Sequence, residues 1–259
     1  MLLAIDVGNT NITIGLFEGD RLTHSWRLAT LRERTADELG ILITHLFDHE
    51  RLDRSRVEGV VLASVVPPLT GMTAEMTQRY FGLNALVVDP GVNAGMPVLY
   101  EPPSDVGADR VVNGVAAYEL YGKAANAPVI VVDFGTATTF DAITAKGEYL
   151  GGVICPGVQI SADALFQRAA RLPKVEVRKP AAVIGRTTVA SMQAGLFFGY
   201  VDMIDGIVRR MRAELGEPPA RCIATGGLAE TIAAETSVVE EVNPDLTLLG
   251  LRMIWEKNR

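Results

Sequence analysis

Lysine is scarce in this 259-residue chain, occurring only as Lys123, Lys146, Lys174, Lys179 and Lys257. No G-x-x-x-x-G-K-[ST] run exists, so a P-loop is excluded, and without a G-x-G-x-x-G run the Rossmann fingerprint is missing too. Cysteine is rarer still. Cys155 and Cys222 show neither a C-x-x-C nor a metal-ligand spacing, which excludes a disulfide framework and fits a reducing compartment. Net charge is −7 and no basic block is present, which argues against a nucleic-acid surface. Long uninterrupted apolar runs are lacking as well: Asp202 and Asp205 break the stretch from Met192 to Met211, and Asp6 breaks the one at the N-terminus. Neither a membrane span nor an export signal is expected, and the expected location is cytoplasmic.

What the chain does have is one pattern written twice. Leu2-Leu3-Ala4-Ile5 runs into Asp6-Val7-Gly8-Asn9-Thr10, and Val129-Ile130-Val131-Val132 runs into Asp133-Phe134-Gly135-Thr136-Ala137-Thr138. Each is an apolar run of strand length ending in a carboxylate, a glycine and small polar side chains. A second strand-like stretch follows each, Ile12 to Phe17 and Thr139 to Thr144, and then a turn. A repeat at half the chain length implies two similar halves. Glycine admits close approach of a ligand, and successive N–H groups in a tight turn bind anions. An Asp beside phosphate needs a bridging cation. A single copy reads as an ordinary turn. The pair reads as two phosphate loops in which metal, backbone N–H groups and hydroxyls replace the missing lysine.

Between and after the repeats, strands alternate with helices, which predicts an α/β protein with mixed sheets. A capping box at Thr35-Ala36-Asp37-Glu38 starts a helix with Leu39, Leu42, Ile43, Leu46 and Phe47 on its apolar face. Strands are expected at Val57 to Val65, Leu83 to Val88 and Arg221 to Thr225, and helices near Ser161 to Ala170 and from Thr188 to Leu215. Asn243-Pro244-Asp245 reads as the start of the last helix. The Gly- and Pro-rich stretch from Asp89 to Pro103 reads as a long loop of the kind that carries binding residues.

Gly107-Ala108-Asp109-Arg110 opens another helix, placing Asp109 in the first turn, where the macrodipole favours an ionised carboxylate. That is an ordinary helix start, and it is also the base-plus-cation pair that a kinase acting on an anionic alcohol requires. His45 and His49 fall on a solvated helix flank. Gly195 and Gly199 allow tight helix packing, inside the chain or across a dimer. Gly226-Gly227 after a strand is a plain turn or a place where a nucleobase meets the backbone.

Taken in order, the Asp6 motif, Gly107 to Arg110, the Asp133 motif and Thr225-Gly226-Gly227 resemble the type III pantothenate kinase family over nearly the whole chain. The resemblance implies two duplicated actin-like, ribonuclease H-like domains, here 1–122 and 123–259, with mixed β-sheets flanked by helices and ATP in the cleft between them. It implies phosphorylation of pantothenate by ATP, the first step of coenzyme A synthesis. By likeness Asp6, Val7, Gly8, Asn9, Thr10, Asn11, Ile12 and Thr13 form the first phosphate loop, with Asp6 organising Mg²⁺ indirectly. Thr136 belongs to the second loop, and Gly226-Gly227 would lie near the adenosine. Asp109 matches the general base. Tyr100, Gly107, Ala108, Arg110 and Thr188 match the pantothenate pocket, and Asp133 matches the ligand of a monovalent cation, K⁺ or NH₄⁺. The family's homodimeric habit is expected here too. A regulatory accessory protein of the same family and a phosphohydrolase of the superfamily are the rival readings. The intact Asp6, Asp109 and Asp133 set argues against the first and the lack of a basic stripe against the second.

Overall fold

The computed structural model describes residues 1–91 and 93–259. In chain order the elements are β1 (Leu2–Val7), β2 (Asn11–Glu18), β3 (Arg21–Ala29), α1 (Ala36–His49), β4 (Gly59–Ser64), α2 (Pro67–Phe81), β5 (Leu86–Val87) and α3 (Ala108–Ala117). There follow β6 (Val129–Phe134), β7 (Ala137–Ile143), β8 (Tyr149–Pro156), α4 (Val158–Arg168), α5 (Thr188–Leu215), β9 (Arg221–Gly226), α6 (Ala229–Ala233), β10 (Glu241–Val242) and α7 (Leu246–Lys257). The strands form two five-stranded sheets of order β3-β2-β1-β4-β5 and β10-β9-β6-β7-β8. Two compact units contain them: residues 1–116 with 246–259, and residues 117–245. In both, a short turn makes the repeat motif an antiparallel hairpin, while the next parallel neighbour is reached through helix.

In the first unit, the period-two side chains Leu3, Ile5 and Val7 of β1 meet Leu39, Ile43 and Phe47 of α1 and Leu69 and Met76 of α2. On the opposite face Ala4, Gly15 and Gly59 are small, so α7 lies close against it. A Cβ on Gly15 would stand 2.9 Å from Leu248, and one on Gly59 would strike Trp255. Gly250 in turn lets α7 rest on Val112 of α3. In the second unit, Ile130, Val132, Phe134 and Phe140 pack on Phe197, Val201, Ile204 and Val208 of α5. Removing a buried aromatic such as Phe197 from a core of this kind typically costs about 3–5 kcal/mol.

Several local expectations shift. Leu42 is 39% exposed rather than buried, because α1 turns Gly40 and Thr44 inward, with Gly40 beneath the Tyr80 ring of α2. That rotation leaves Ile41 and Leu42 outside. The β5 pairing is two residues long, and α4 begins at Val158, three positions before the expected start. Asn243 does not cap α7 directly: its Oδ1 accepts the Asp245 N–H at 3.0 Å in a turn just before it. Gly195 and Gly199 pack against nothing, since open space surrounds the site of a Cβ on either one. Among the described residues no helix is long and apolar enough to cross a membrane.

Candidate active site

The β1–β2 loop is tight and tied down. Gly8 N–H donates to the Asn11 carbonyl at 3.0 Å, and a Cβ on Gly8 would come within 3.1 Å of that oxygen. The end of β3 clamps the loop: Thr30 Oγ1 donates to the Gly8 carbonyl at 2.7 Å, and Thr30 N–H to the Thr10 carbonyl at 2.9 Å. Asn9 and Thr10 are left exposed, while the Val7 and Ile12 side chains are buried in the core. Those two residues can offer a ligand only their backbone. Asp6 is half-buried opposite Thr13 of β2 and beside Ala63 of β4.

The start of α3 lies at the same edge of this sheet. β1 and β4 are parallel, Val7 faces Ser64, and Val65 N–H donates to the Val7 carbonyl at 3.1 Å. Val65 is also the neighbour of Gly107: a Cβ there would stand 3.4 Å from Val65 and 2.6 Å from Asp109 Oδ1. Glycine at 107 therefore gives the Asp109 carboxylate room to fold back over the chain. It accepts the Arg110 N–H at 2.8 Å. The structure thus brings Asp109 and the Asp6 loop together at the carboxyl ends of parallel strands, where ligands of open α/β sheets bind. Val111, Val112 and Val115 are buried beneath, and Thr247 of α7 donates to Asn113 at 2.7 Å, so the helix carrying Asp109 is firmly seated.

Burial pushes the Asp109 carboxyl above its ordinary value, outweighing the Arg110 N–H bond and charge that pull it down. That reverses the direction expected from the helix dipole: desolvation wins over it. Arg110 is half-buried. Tyr100 lies in the loop before α3 and is 38% exposed.

In the second unit, Asp133 is the penultimate residue of β6, opposite Thr139 on β7 and Thr225 on β9. Gly226 has φ of +94°, and a Cβ on it would fall 2.6 Å from Asp133 Oδ1 and 2.7 Å from the Phe134 backbone. Only glycine permits so close an approach to the carboxylate. Thr136 is exposed at the hairpin tip, and Gly157, just ahead of α4, packs against the Gly135 and Thr136 carbonyls. Around Gly227 there is open space. Thr188 is exposed in the first turn of α5, whose cap is Thr187, accepting the Ala190 N–H at 3.2 Å. Thr30, Gly157 and Thr187 were missed at the sequence level. Only Thr187 carried a local signal, the cap immediately before the helix.

A groove of about 470 Å³ lined by Leu31, Glu33, Arg34, Glu38, Ile41 and Leu42 contains none of the residues above. Burial raises both thiols, that of Cys222 to about 12, which removes thiolate chemistry. Among the described residues no three His, Cys, Asp or Glu side chains gather into a metal cage. Kinase Mg²⁺ characteristically uses one or two carboxylates with substrate phosphates, a role open to Asp6.

The family model of type III pantothenate kinase matches residues 2–210. Curated type III pantothenate kinases of Myxococcus xanthus and Moorella thermoacetica are 56% and 55% identical, each over 258 residues and 100% of this chain, covering 99% and 100% of their own lengths. Among solved structures, a Campylobacter jejuni protein described as a Baf family transcriptional activator superposes with a TM-score of 0.58 at 18% identity, covering 99% of this chain and 97% of that one. The inorganic polyphosphate/ATP-glucomannokinase of an Arthrobacter strain gives 0.52 at 15%, covering 99% and 98%. These structural likenesses show the actin-like kinase fold.

Proposed function

The chain belongs to the type III pantothenate kinase family, and we propose that Asp109 is the base in its transfer of the ATP γ-phosphoryl group to the primary hydroxyl of pantothenate. The observation that carries this is the half-buried Asp109 carboxylate, raised in pKa, at the strand edge shared with the Asp6 loop. Efficient bases have a pKa moved toward the working pH, and burial moves Asp109 that way. As the hydroxyl oxygen bonds to phosphorus, its proton passes to Asp109 and ADP leaves with the electrons of the broken phosphorus–oxygen bond. The product is 4′-phosphopantothenate, the first intermediate of coenzyme A synthesis.

Phosphoryl transfer asks a protein for positioning and charge stabilisation. Asp6, Gly8, Asn9, Thr10, Asn11 and Thr13, with the Val7 and Ile12 backbone, position phosphate oxygens, and Thr136 supplies a further hydroxyl. ATP enters with a divalent cation, which neutralises phosphate charge where no lysine is at hand, and Asp6 orients it. Arg110 pairs with the pantothenate carboxylate. Tyr100 lines that pocket with Gly107 and Ala108 of the first unit; Thr188 is a further pantothenate contact by family likeness, and the open backbone at Gly227 a contact for the adenosine.

Asp133 would hold a monovalent cation, K⁺ or NH₄⁺, whose charge would offset that of the carboxylate beside phosphate. Glycine at 226 lets the β9 backbone approach this carboxylate closely, since a Cβ there would fall 2.6 Å from Asp133 Oδ1. We also read the chain as a cytoplasmic homodimer. Exposed Leu150 and Ile154 on edge strand β8, Ile160 and Phe166 on α4, and the open Gly195 and Gly199 positions on α5 supply an apolar surface in the second unit.

The test is ATP consumption by purified protein offered pantothenate or its neutral alcohol analogue, pantothenol. Consumption should depend on pantothenate and favour the acid. Arg110→Ala should raise KM for pantothenate about tenfold, the worth of one charge-assisted contact, and erase the preference. Consumption indifferent to pantothenate rejects the kinase reading, and a preference that survives in the variant removes Arg110 from its role.

A further inference from the structure

One carboxylate of the second unit has no part in the roles above. Asp141 on β7 is fully buried. A buried carboxylate is costly unless donors meet it, and two do. Tyr149 O–H donates to Oδ1 at 2.7 Å, and Thr139 O–H donates to Oδ2 at 3.3 Å.

Tyr149 reaches this carboxylate through a bulge. β7 and β8 pair regularly from Ala137 with Pro156 to Ala142 with Gly151, and then Ile143 pairs with Tyr149, leaving Leu150 as the extra residue. In unbroken register Leu150 would oppose Ile143. The bulge turns Leu150 out to 46% exposure and puts a fully buried Tyr149 on the face of Asp141. Gly152, directly opposite Asp141, brings no side chain to crowd that face.

The other end of this chain of hydroxyls is Thr139, the direct cross-strand partner of Asp133. Paired residues share a face, with Cβ atoms about 4.5–5.5 Å apart. A threonine hydroxyl has a single hydrogen and two lone pairs. With the hydrogen committed to Asp141, the oxygen presents lone pairs to whatever sits beside Asp133. K⁺ is held by oxygen atoms that replace its hydration shell.

We propose that Tyr149, Asp141 and Thr139 form a relay that fixes Thr139 Oγ1 as an oxygen ligand of the monovalent cation at Asp133. Tyr149 and Asp141 are then positioning residues, acting through Thr139. The proposal rests on the reading of Asp133 as the cation site, and it explains why a tyrosine, a bulge and a buried carboxylate converge behind the second loop.

The experiment is a K⁺ titration of melting temperature with Mg²⁺ and ATP present, ionic strength being held with choline chloride, beside the same titration of turnover. Wild type should rise in melting temperature with K⁺, and Asp133→Asn should lose the rise. Thr139→Val should raise the half-saturating K⁺ about tenfold and Tyr149→Phe about threefold, the range expected for one lost contact, while Thr139→Ser keeps the wild-type value. Tyr149→Phe preserves shape and carries the test alone should Thr139→Val not fold. If Asp133→Asn loses the response while the folded Thr139 and Tyr149 variants titrate like wild type, the relay is wrong and the Asp133 reading stands. A wild type indifferent to K⁺ overturns both.

Discussion

The two repeat loops start from the same local design and end with different surroundings. In each, the acidic residue is the penultimate one of its strand and faces threonine across an antiparallel hairpin, Asp6 with Thr13 and Asp133 with Thr139. On the parallel side they part. Val7 lies opposite Ser64, whose hydroxyl accepts the Val66 N–H at 3.2 Å and so starts α2. Phe134 lies opposite Gly226, in a positive-φ conformation that lets the β9 backbone pass close against Asp133. One loop therefore has a side chain where the other has bare backbone beside its carboxylate. Duplication supplies a pair of carboxylates, and one neighbouring residue decides what each can hold. On our reading Asp6 serves the divalent ion that travels with ATP, and Asp133 serves a resident monovalent one.

The first unit also has Asp109 at its strand edge, and the comparison predicts its largest effect there. Asp109→Asn should lower kcat by about 10²–10⁴-fold, the usual cost of a lost general base. Stability should move the other way. The folded-state pKa is raised by burial, so ionising Asp109 costs folding free energy, and the contribution present at low pH is lost as pH rises through that raised value. Asparagine escapes the cost, so the variant should melt no lower than wild type at neutral pH. In wild type the acidic limb of kcat should lie above the range of an ordinary carboxylate. Turnover within a few-fold of wild type, or a limb at ordinary carboxylate pH, would place the base elsewhere.

How much of this was legible follows from the range of the interactions. The paired strands, their carboxylates and the seated helix at Asp109 are local patterns of period and turn chemistry, readable from a few neighbouring residues. The direction of the Asp109 shift is not local, since it is set by burial in the folded chain, which outweighs the pull of the neighbouring Arg110 and of the helix's own dipole. Leu42 misled because a helical stripe fixes which residues share a face and not how far the face is turned toward a neighbour; Gly40 under Tyr80 sets that turn. The Tyr149 bulge was hidden, because one residue of slippage exchanges the two faces of a strand. Gly226 was visible as a glycine and not as a close approach, since the atom a side chain there would strike belongs to Asp133, far away in sequence.

A symmetric pair of substitutions breaks or sharpens the comparison more directly. Gly226→Ala puts a methyl group against Asp133 Oδ1 and a side chain at positive φ, a backbone strain of about 1–3 kcal/mol. Its half-saturating K⁺ should rise about tenfold or more, beyond what the lost stability explains, because the Asp133 carboxylate must move. Ser64→Ala, at the matching place in the first unit, should cost about 0.5–1.5 kcal/mol by removing the acceptor of the Val66 N–H in the turn before α2. K⁺ titration should not register it. K⁺ titrations and melting curves of both variants decide the matter: equal effects on K⁺ would mean that the neighbouring residue does not distinguish the loops.

The smallest effect should come from the Thr30 clamp on the first loop. Thr30 Oγ1 holds the Gly8 carbonyl at 2.7 Å, while the second loop is braced by backbone contact with Gly157. Thr30→Val removes one hydroxyl and keeps the shape of the side chain. The Thr30 N–H to Thr10 carbonyl bond survives, so the loop loosens without leaving its place. One net hydrogen bond is worth about 0.5–1.5 kcal/mol, which predicts a KM for ATP raised about two- to tenfold. The half-saturating K⁺ should stay at the wild-type value, because the cation belongs to the other loop. A Thr30→Val enzyme whose K⁺ requirement moves together with its KM for ATP would show the two loops acting as one site for both ions, and the division of labour between Asp6 and Asp133 would have to be given up.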